Sequence, residues 1–176
     1  MSLRRIVLVG FMGSGKSTVG QVVASRLRWH FRDLDTEIEA RVGKPVARIF
    51  AEDGEARFRE LELVAARETR ALDEYVIAAG GGAFAQDATR EALQSAGAVS
   101  VWLRCDEETL LARLPADGSR PLAQNRETMR RLLAARESAY RLADKVVDAQ
   151  AGPAIVAERV VHAVMPERGG SSNEAR

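Results

Sequence analysis

The apolar run Ile6-Val7-Leu8-Val9 leads without a break into Gly10-Phe11-Met12-Gly13-Ser14-Gly15-Lys16-Ser17-Thr18. This junction constrains the fold more than any other stretch. Four apolar residues in a row suit a strand buried on both faces, and the spacing Gly-x-x-x-x-Gly-Lys-Ser suits a loop that curls with its N–H groups pointing inward before a helix starts at Lys16. Glycines are required because a Cβ would hold the main chain away from a bound anion. The expected ligand is a nucleotide phosphate cradled by residues Gly13, Ser14, Gly15, Lys16, Ser17 and Thr18. Lys16 would reach the β and γ phosphates, the Ser17 hydroxyl would ligate Mg²⁺, and the positive end of the helix would add to the anion field.

Further apolar runs that suit buried strands lie at Tyr75 to Ala79, Val99 to Leu103 and Lys145 to Val147, with a shorter candidate at Phe31 to Asp33. Apolar residues at three-to-four spacing predict helices over Thr18 to Leu27, Ala56 to Leu72, Asp87 to Gln94, Glu107 to Leu114, Arg126 to Leu142 and Ala154 to Val164. Strand alternating with helix predicts an α/β fold, with a parallel sheet of five strands between two helical layers. Ligands in such a sheet sit beyond the carboxyl ends of the strands, which directs attention to Gly10 to Thr18, Asp33 to Asp35, Gly80 to Gly82 and Cys105 to Asp106.

A chain of 176 residues that is 46% hydrophobic can fill one core and hardly two, so a single domain over residues 1–165 is expected. Within it, residues 34–62 read as a substrate-binding insertion. Residues 114–126, with two prolines, a glycine and Arg120, read as a lid. Residues 166–176 read as a disordered tail. The balance of 26 basic and 25 acidic residues leaves a net charge of +1, which argues against a nucleic-acid surface. The lone Cys105 excludes an intrachain disulfide and a cysteine-built zinc site, and His30 and His162 are too few for a three-histidine metal centre. No apolar stretch approaches the length of a membrane span, and the N-terminus runs straight into the first strand, so a soluble cytoplasmic protein is expected.

Asp33-Leu34-Asp35 carries two carboxylates that point the same way if the backbone stays extended through Leu34. One would support Mg²⁺ through water and the other would orient an attacking hydroxyl. The same spacing suits a strand end followed by an N-cap aspartate. No carboxylate follows the strand ending at Ala79, which assigns the metal to Asp33 alongside Ser17. Thr36-Glu37-Ile38-Glu39 fits a capping box and predicts a short helix starting there. Gly80-Gly81-Gly82 is costly in folding entropy and suits either close approach of the backbone to a ligand or a flexible turn. Arg67, Arg70, Arg130 and Arg131 read as solvated helix faces. Two arginines converging on a pocket would select an anionic small molecule, because a guanidinium fork matches a carboxylate. Spacing alone does not say which two.

Taken together, these residues resemble the shikimate kinase family from about Arg5 to Asp148. The phosphate loop is generic, but its combination with Asp33-Leu34-Asp35 and Ile38-Glu39, Ile49-Phe50 through Asp53-Gly54-Glu55 to Phe58-Arg59 and Glu62, Gly80-Gly81-Gly82-Ala83, Arg120-Pro121-Leu122, and Arg136 with Tyr140 is specific. The resemblance implies a phosphate-loop kinase fold similar to that of nucleoside monophosphate kinases. It also implies transfer of the γ-phosphoryl group of ATP to the 3-hydroxyl of shikimate with Mg²⁺, on the route to chorismate and the aromatic amino acids, by a monomer. By the same likeness Lys16, Asp35 and Arg120 are catalytic, and Asp35 holds the acceptor hydroxyls. Arg59 and Arg136 grip the carboxylate, Gly80, Gly81 and Gly82 offer main-chain groups to the ring, Glu62 steadies the arginines, and Gln150 touches the base.

Two departures stand out. The family usually has a proline between the pocket arginine and the tyrosine, and Arg136-Glu137-Ser138-Ala139-Tyr140 has none; the segment Asp148 to Pro153 lacks the arginine that some members place near adenine. A kinase acting on gluconate would share the loop and sheet, and would lack the set Asp35, Arg59, Gly81 and Arg136. A GTP-binding switch is disfavoured, because neither Asn-Lys-x-Asp nor Asp-x-x-Gly occurs in the chain.

Overall fold

The strand Arg5–Val9 (β1) is buried along its whole length, and its side chains alternate between two cores. Ile6 and Leu8 face one side of the sheet and Val7 and Val9 the other, all at 0 to 1% exposure. Each such side chain contributes about 1.5–3 kcal/mol when fully buried, which fixes β1 at the centre. The structure, a computed structural model, describes residues 2–113 and 126–165. The proposed lid with Arg120, apart from Arg126, and the proposed tail fall outside the described residues.

Four further strands, His30–Asp33 (β2), Tyr75–Ala78 (β3), Ala98–Arg104 (β4) and Lys145–Asp148 (β5), complete a five-stranded parallel sheet in the order β2-β3-β1-β4-β5. Helices α1 (Lys16–Leu27) and α8 (Pro153–Val164) cover one face through Val19, Val23, Val156 and Val160. The other face carries α2 (Leu34–Val42), α3 (Val46–Glu52), α4 (Gly54–Glu68), α5 (Asp87–Leu93), α6 (Glu107–Ala112) and α7 (Arg126–Tyr140), which pack through Leu34, Ile49, Phe58, Leu93, Leu110 and Tyr140. Parallel strands deliver every following loop to the same edge, so the ends of β1, β2, β3 and β5 open on one cleft. At the opposite edge the buried Arg5 guanidinium donates to the carbonyls of Thr69 and Ala96, each at 2.6 Å.

Several local expectations are corrected. The backbone does not stay extended through Leu34, which is already the first residue of α2. Asp33 is the N-cap, its Oδ1 accepting from the amides of Asp35 and Thr36, so the helix starts two residues before the expected capping box. Glu39 does not reach back to Thr36; its Oε1 accepts from Val46 N at 2.8 Å and ties α3 to α2. The helix expected over Ala56 to Leu72 ends at Glu68 and continues as one 3₁₀ turn over Thr69–Ala71. The missing proline leaves no break, since α7 runs uninterrupted through Arg136 to Tyr140. No helix among the described residues is long and apolar enough to cross a membrane.

Candidate active site

The cleft has a volume of about 1400 Å³ and runs from Phe50 and Arg59 at one end, past the phosphate loop, to Gln150 and Pro153 at the other. Its middle is the loop between β1 and α1. Gly10, Gly13 and Gly15 have φ of +143°, +80° and +90°, the left-handed region where a Cβ is strained. At Gly10 a Cβ would also stand 2.8 Å from the Leu103 carbonyl. Helix α1 starts behind Gly15 with no side-chain cap and no acidic residue in its first turn, which leaves its amino end open to an anion. Lys16 Nζ donates to the carbonyls of Gly10 at 2.8 Å and Phe11 at 2.9 Å, so the cation lies across the mouth of its own loop. The Ser17 hydroxyl donates to Asp33 Oδ2. Asp33 therefore makes two contacts, its Oδ1 capping α2 and its Oδ2 accepting from the serine hydroxyl.

The glycines after β3 organise the next part of the cleft. None of the three has a positive φ, so backbone conformation does not require them. Space does. A Cβ on Gly80 would lie 2.6 Å from Glu62 Oε1 and 2.7 Å from Asp35 Oδ1, and one on Gly82 would lie 2.5 Å from Arg59 Nη2. The close approach expected of a ligand is made at these two positions by the cleft's own side chains. Gly81 is less crowded, its nearest neighbour being Arg136 Nη1 at 3.5 Å from a Cβ position. Its carbonyl accepts from the Tyr140 hydroxyl, whose pKa burial pushes up to about 12, so the phenol remains a donor at any physiological pH. Asp35, Arg59 and Arg136 thus gather around three consecutive residues.

Arg59 is held from several sides. Its Nη1 donates to Glu62 Oε2 at 2.7 Å and its Nη2 to Glu55 Oε1 at 3.0 Å, and the guanidinium lies over the rings of Phe50 and Phe58. Burial works against its charge, but Glu62 and Glu55 outweigh burial and raise its pKa. Glu62 is 1% exposed; burial raises its pKa, with Arg59 opposing, and its Oε1 has no hydrogen-bond partner among the described residues. Arg136 lies over the ring of Phe11. Of the arginines read as solvated, Arg130 pairs with Glu107 outside the cleft, while Arg131 pairs with Glu127 and lines the cleft's rim.

At the far end, Gln150 lines the cleft through the loop between β5 and α8. No motif in the sequence marks Arg113, yet it lies in the site. From the end of α6 its guanidinium donates to the carbonyls of Ala149 at 2.8 Å and Gln150 at 2.9 Å, and it lines the cleft beside Pro153. The segment that lacks an arginine of its own receives one from elsewhere in the chain. One signal was present in the sequence, an arginine closing a helix just before Leu114-Pro115. Its target, 36 residues away, was not legible.

The family model described as shikimate kinase matches residues 12–165. The chain belongs to the shikimate kinase family. It is 44% identical to the shikimate kinase of Moorella thermoacetica over 158 residues, 89% of this chain and 91% of the relative. It is also 44% identical to that of Pseudomonas entomophila, over 86% of this chain and 90% of the relative. Among solved structures, shikimate kinase from Acinetobacter baumannii in complex with shikimate superposes with a TM-score of 0.86 at 36% identity, covering 91% of this chain and 92% of that one. A gluconokinase from Sinorhizobium meliloti, at 22% identity and a TM-score of 0.59 over 89% of each chain, shares the fold alone. The fold is that of a phosphate-loop kinase with a parallel five-stranded core.

Proposed function

We propose that the cleft transfers the γ-phosphoryl group of ATP to the 3-hydroxyl of shikimate, giving 3-phosphoshikimate and ADP. The observation that carries this reading is the crowding of one carboxylate and two guanidinium groups, Asp35, Arg59 and Arg136, around Gly80 to Gly82 beside the phosphate loop. An acceptor that offers a carboxylate at one end and hydroxyls at the other matches that set, with the fork of each arginine suited to the acid. Arg59 and Arg136 take the carboxylate, Asp35 orients the acceptor hydroxyl, and Gly81 offers its main chain to the ring. Glu62 holds Arg59 in place and Gln150 borders the base. Phosphoryl transfer depends on positioning and charge neutralisation more than on proton abstraction, which gives Lys16 and the amides of the loop the larger share of the work.

Ser17 at the amino end of α1 and Asp33 at the end of β2 present two hard oxygen donors beside each other, a set that fits Mg²⁺ and would hold it near the phosphates. The ion, when bound, neutralises charge on the β and γ phosphates. Arg120, from residues 114–126, closes over the phosphates in this reading and excludes water, so hydrolysis of ATP without acceptor should be slow. The same reading takes the protein as a single-domain monomer working where ATP is abundant, in the cytoplasm. The test is incubation with Mg·ATP and either shikimate or gluconate, following ADP release and the mass of the acid. Phosphorylated shikimate is expected; turnover of gluconate alone would overturn the assignment.

A further inference from the structure

Phe11 belongs to the phosphate loop by its main chain and to the acid-gripping half by its ring. Its carbonyl accepts from Lys16 Nζ at 2.9 Å and from Ser14 N at 3.2 Å, which fixes the backbone among groups that face the phosphates. The side chain is 2% exposed, and the guanidinium carbon of Arg136 stands 5.7 Å from the centroid of its ring. Arg59 and Arg136 are therefore seated differently. Arg59 has two rings and two carboxylates, Glu55 and Glu62, all from α3 and α4. The aromatic face under Arg136 comes from the phosphate loop instead.

A cation over an aromatic face is drawn to the negative potential of the ring, and the attraction grows where water is excluded, as it is around a buried phenylalanine. We propose that Phe11 is a positioning residue for Arg136, its ring holding the guanidinium towards Gly81 where it meets the carboxylate of the acceptor. The proposal rests on the reading of Arg136 as a carboxylate ligand. It assigns the ring a role beyond filling the core, since a leucine would fill much of the same space without presenting a negative face.

The test measures the dissociation constant for shikimate by calorimetry in Phe11→Leu, in a protein carrying pentafluorophenylalanine at position 11, in Arg136→Gln, and in the double variant Phe11→Leu with Arg136→Gln. The fluorinated ring keeps the shape of phenylalanine and reverses its potential, so it remains informative even where the leucine variant folds poorly. Phe11→Leu and the fluorinated ring should each weaken shikimate about three- to ten-fold, and Phe11→Leu should add less than about two-fold in the Arg136→Gln background. An unchanged constant with the fluorinated ring, or an equal loss from Phe11→Leu whether or not Arg136 is present, would overturn the proposal and leave Phe11 a packing residue. Failure of the underlying reading looks different: Arg136→Gln itself would then bind shikimate as well as the parent, and the proposal would fall with it.

Discussion

Lys16, Ser17 and the amides of Gly13 to Gly15 come from one short stretch, the loop after β1 and the first turn of α1, whereas Asp35, Arg59, Gly81 and Arg136 come from α2, α4, the loop after β3, and α7. The first group is set by backbone conformation, with glycines in the left-handed region and an uncapped helix end. The second is set by side chains that hold other side chains. Arg59 is fixed by Glu55, Glu62 and two rings, and Asp35, Glu62 and Arg59 pack so closely on Gly80 and Gly82 that a methyl group there would collide. A site half made of main chain resists most substitutions except at its glycines and its lysine. A half made of interlocking side chains is exposed to substitution at every member and at every support.

The comparison can be broken most sharply at Asp35. It belongs by position to the acid-binding half, yet Asp35→Asn should lower kcat/KM for shikimate about a hundred- to ten-thousand-fold while leaving ADP affinity intact, because in the proposed function it orients the reacting hydroxyl. Steady-state kinetics and ADP titration check this, and near-parental turnover would remove Asp35 from the chemistry. Next in size, Lys16→Ala should cost about a hundred- to a thousand-fold in kcat through lost charge stabilisation at the phosphates. Its shikimate dissociation constant should hardly move; a large shift would mean that the two halves do not separate as drawn. Arg59→Lys should act the other way, weakening shikimate by about 1–3 kcal/mol as a point charge replaces a fork, with the KM for ATP unchanged. Calorimetry with shikimate and a coupled assay at varied ATP give both numbers.

The smallest effect concerns pH. Burial raises the pKa of Glu62 above its unfolded value, so the native state holds a proton that the unfolded chain has already released between the ordinary glutamate range and the raised value. The contribution of this group to stability is complete below the unfolded pKa and is lost as pH rises through the folded one. The stability difference between the parent and Glu62→Gln should therefore shift against the parent as pH rises from about 4.5 towards neutrality, by no more than about 1.4 kcal/mol per pH unit for one proton. Urea unfolding across that range measures it, and a flat difference would show that Arg59 cancels the cost of burial.

Much of the architecture was legible because it is local or periodic. The five strands follow from short apolar runs, and the helices from their three-to-four spacing, to within a few residues at their ends. The start of α2 is ambiguous in the sequence because two capping residues compete, and in the structure the aspartate at the strand end prevails over Thr36. A side chain that caps from the last strand position lets the helix begin at once, and nothing in local composition distinguishes that from a cap three residues on. The triple glycine stands out in the sequence, but its reason does not, since the atoms it makes room for belong to α2 and α4. Arg113 is not legible as a site residue because its partners are carbonyls, which leave no mark on a sequence.

The chain's own order of residues determined the phosphate loop, the parallel sheet and the placement of candidate groups at the carboxyl ends of strands, because each of these depends on contacts between neighbours or on a repeating period. Spacing does not choose among the many arginines; the resemblance to a family names Arg59 and Arg136, while tertiary structure alone brings them to one place and adds Arg113 at the far end of the cleft. Convergence of charges from distant segments depends on how helices pack across the sheet. That packing is a property of the assembled core and of no single segment.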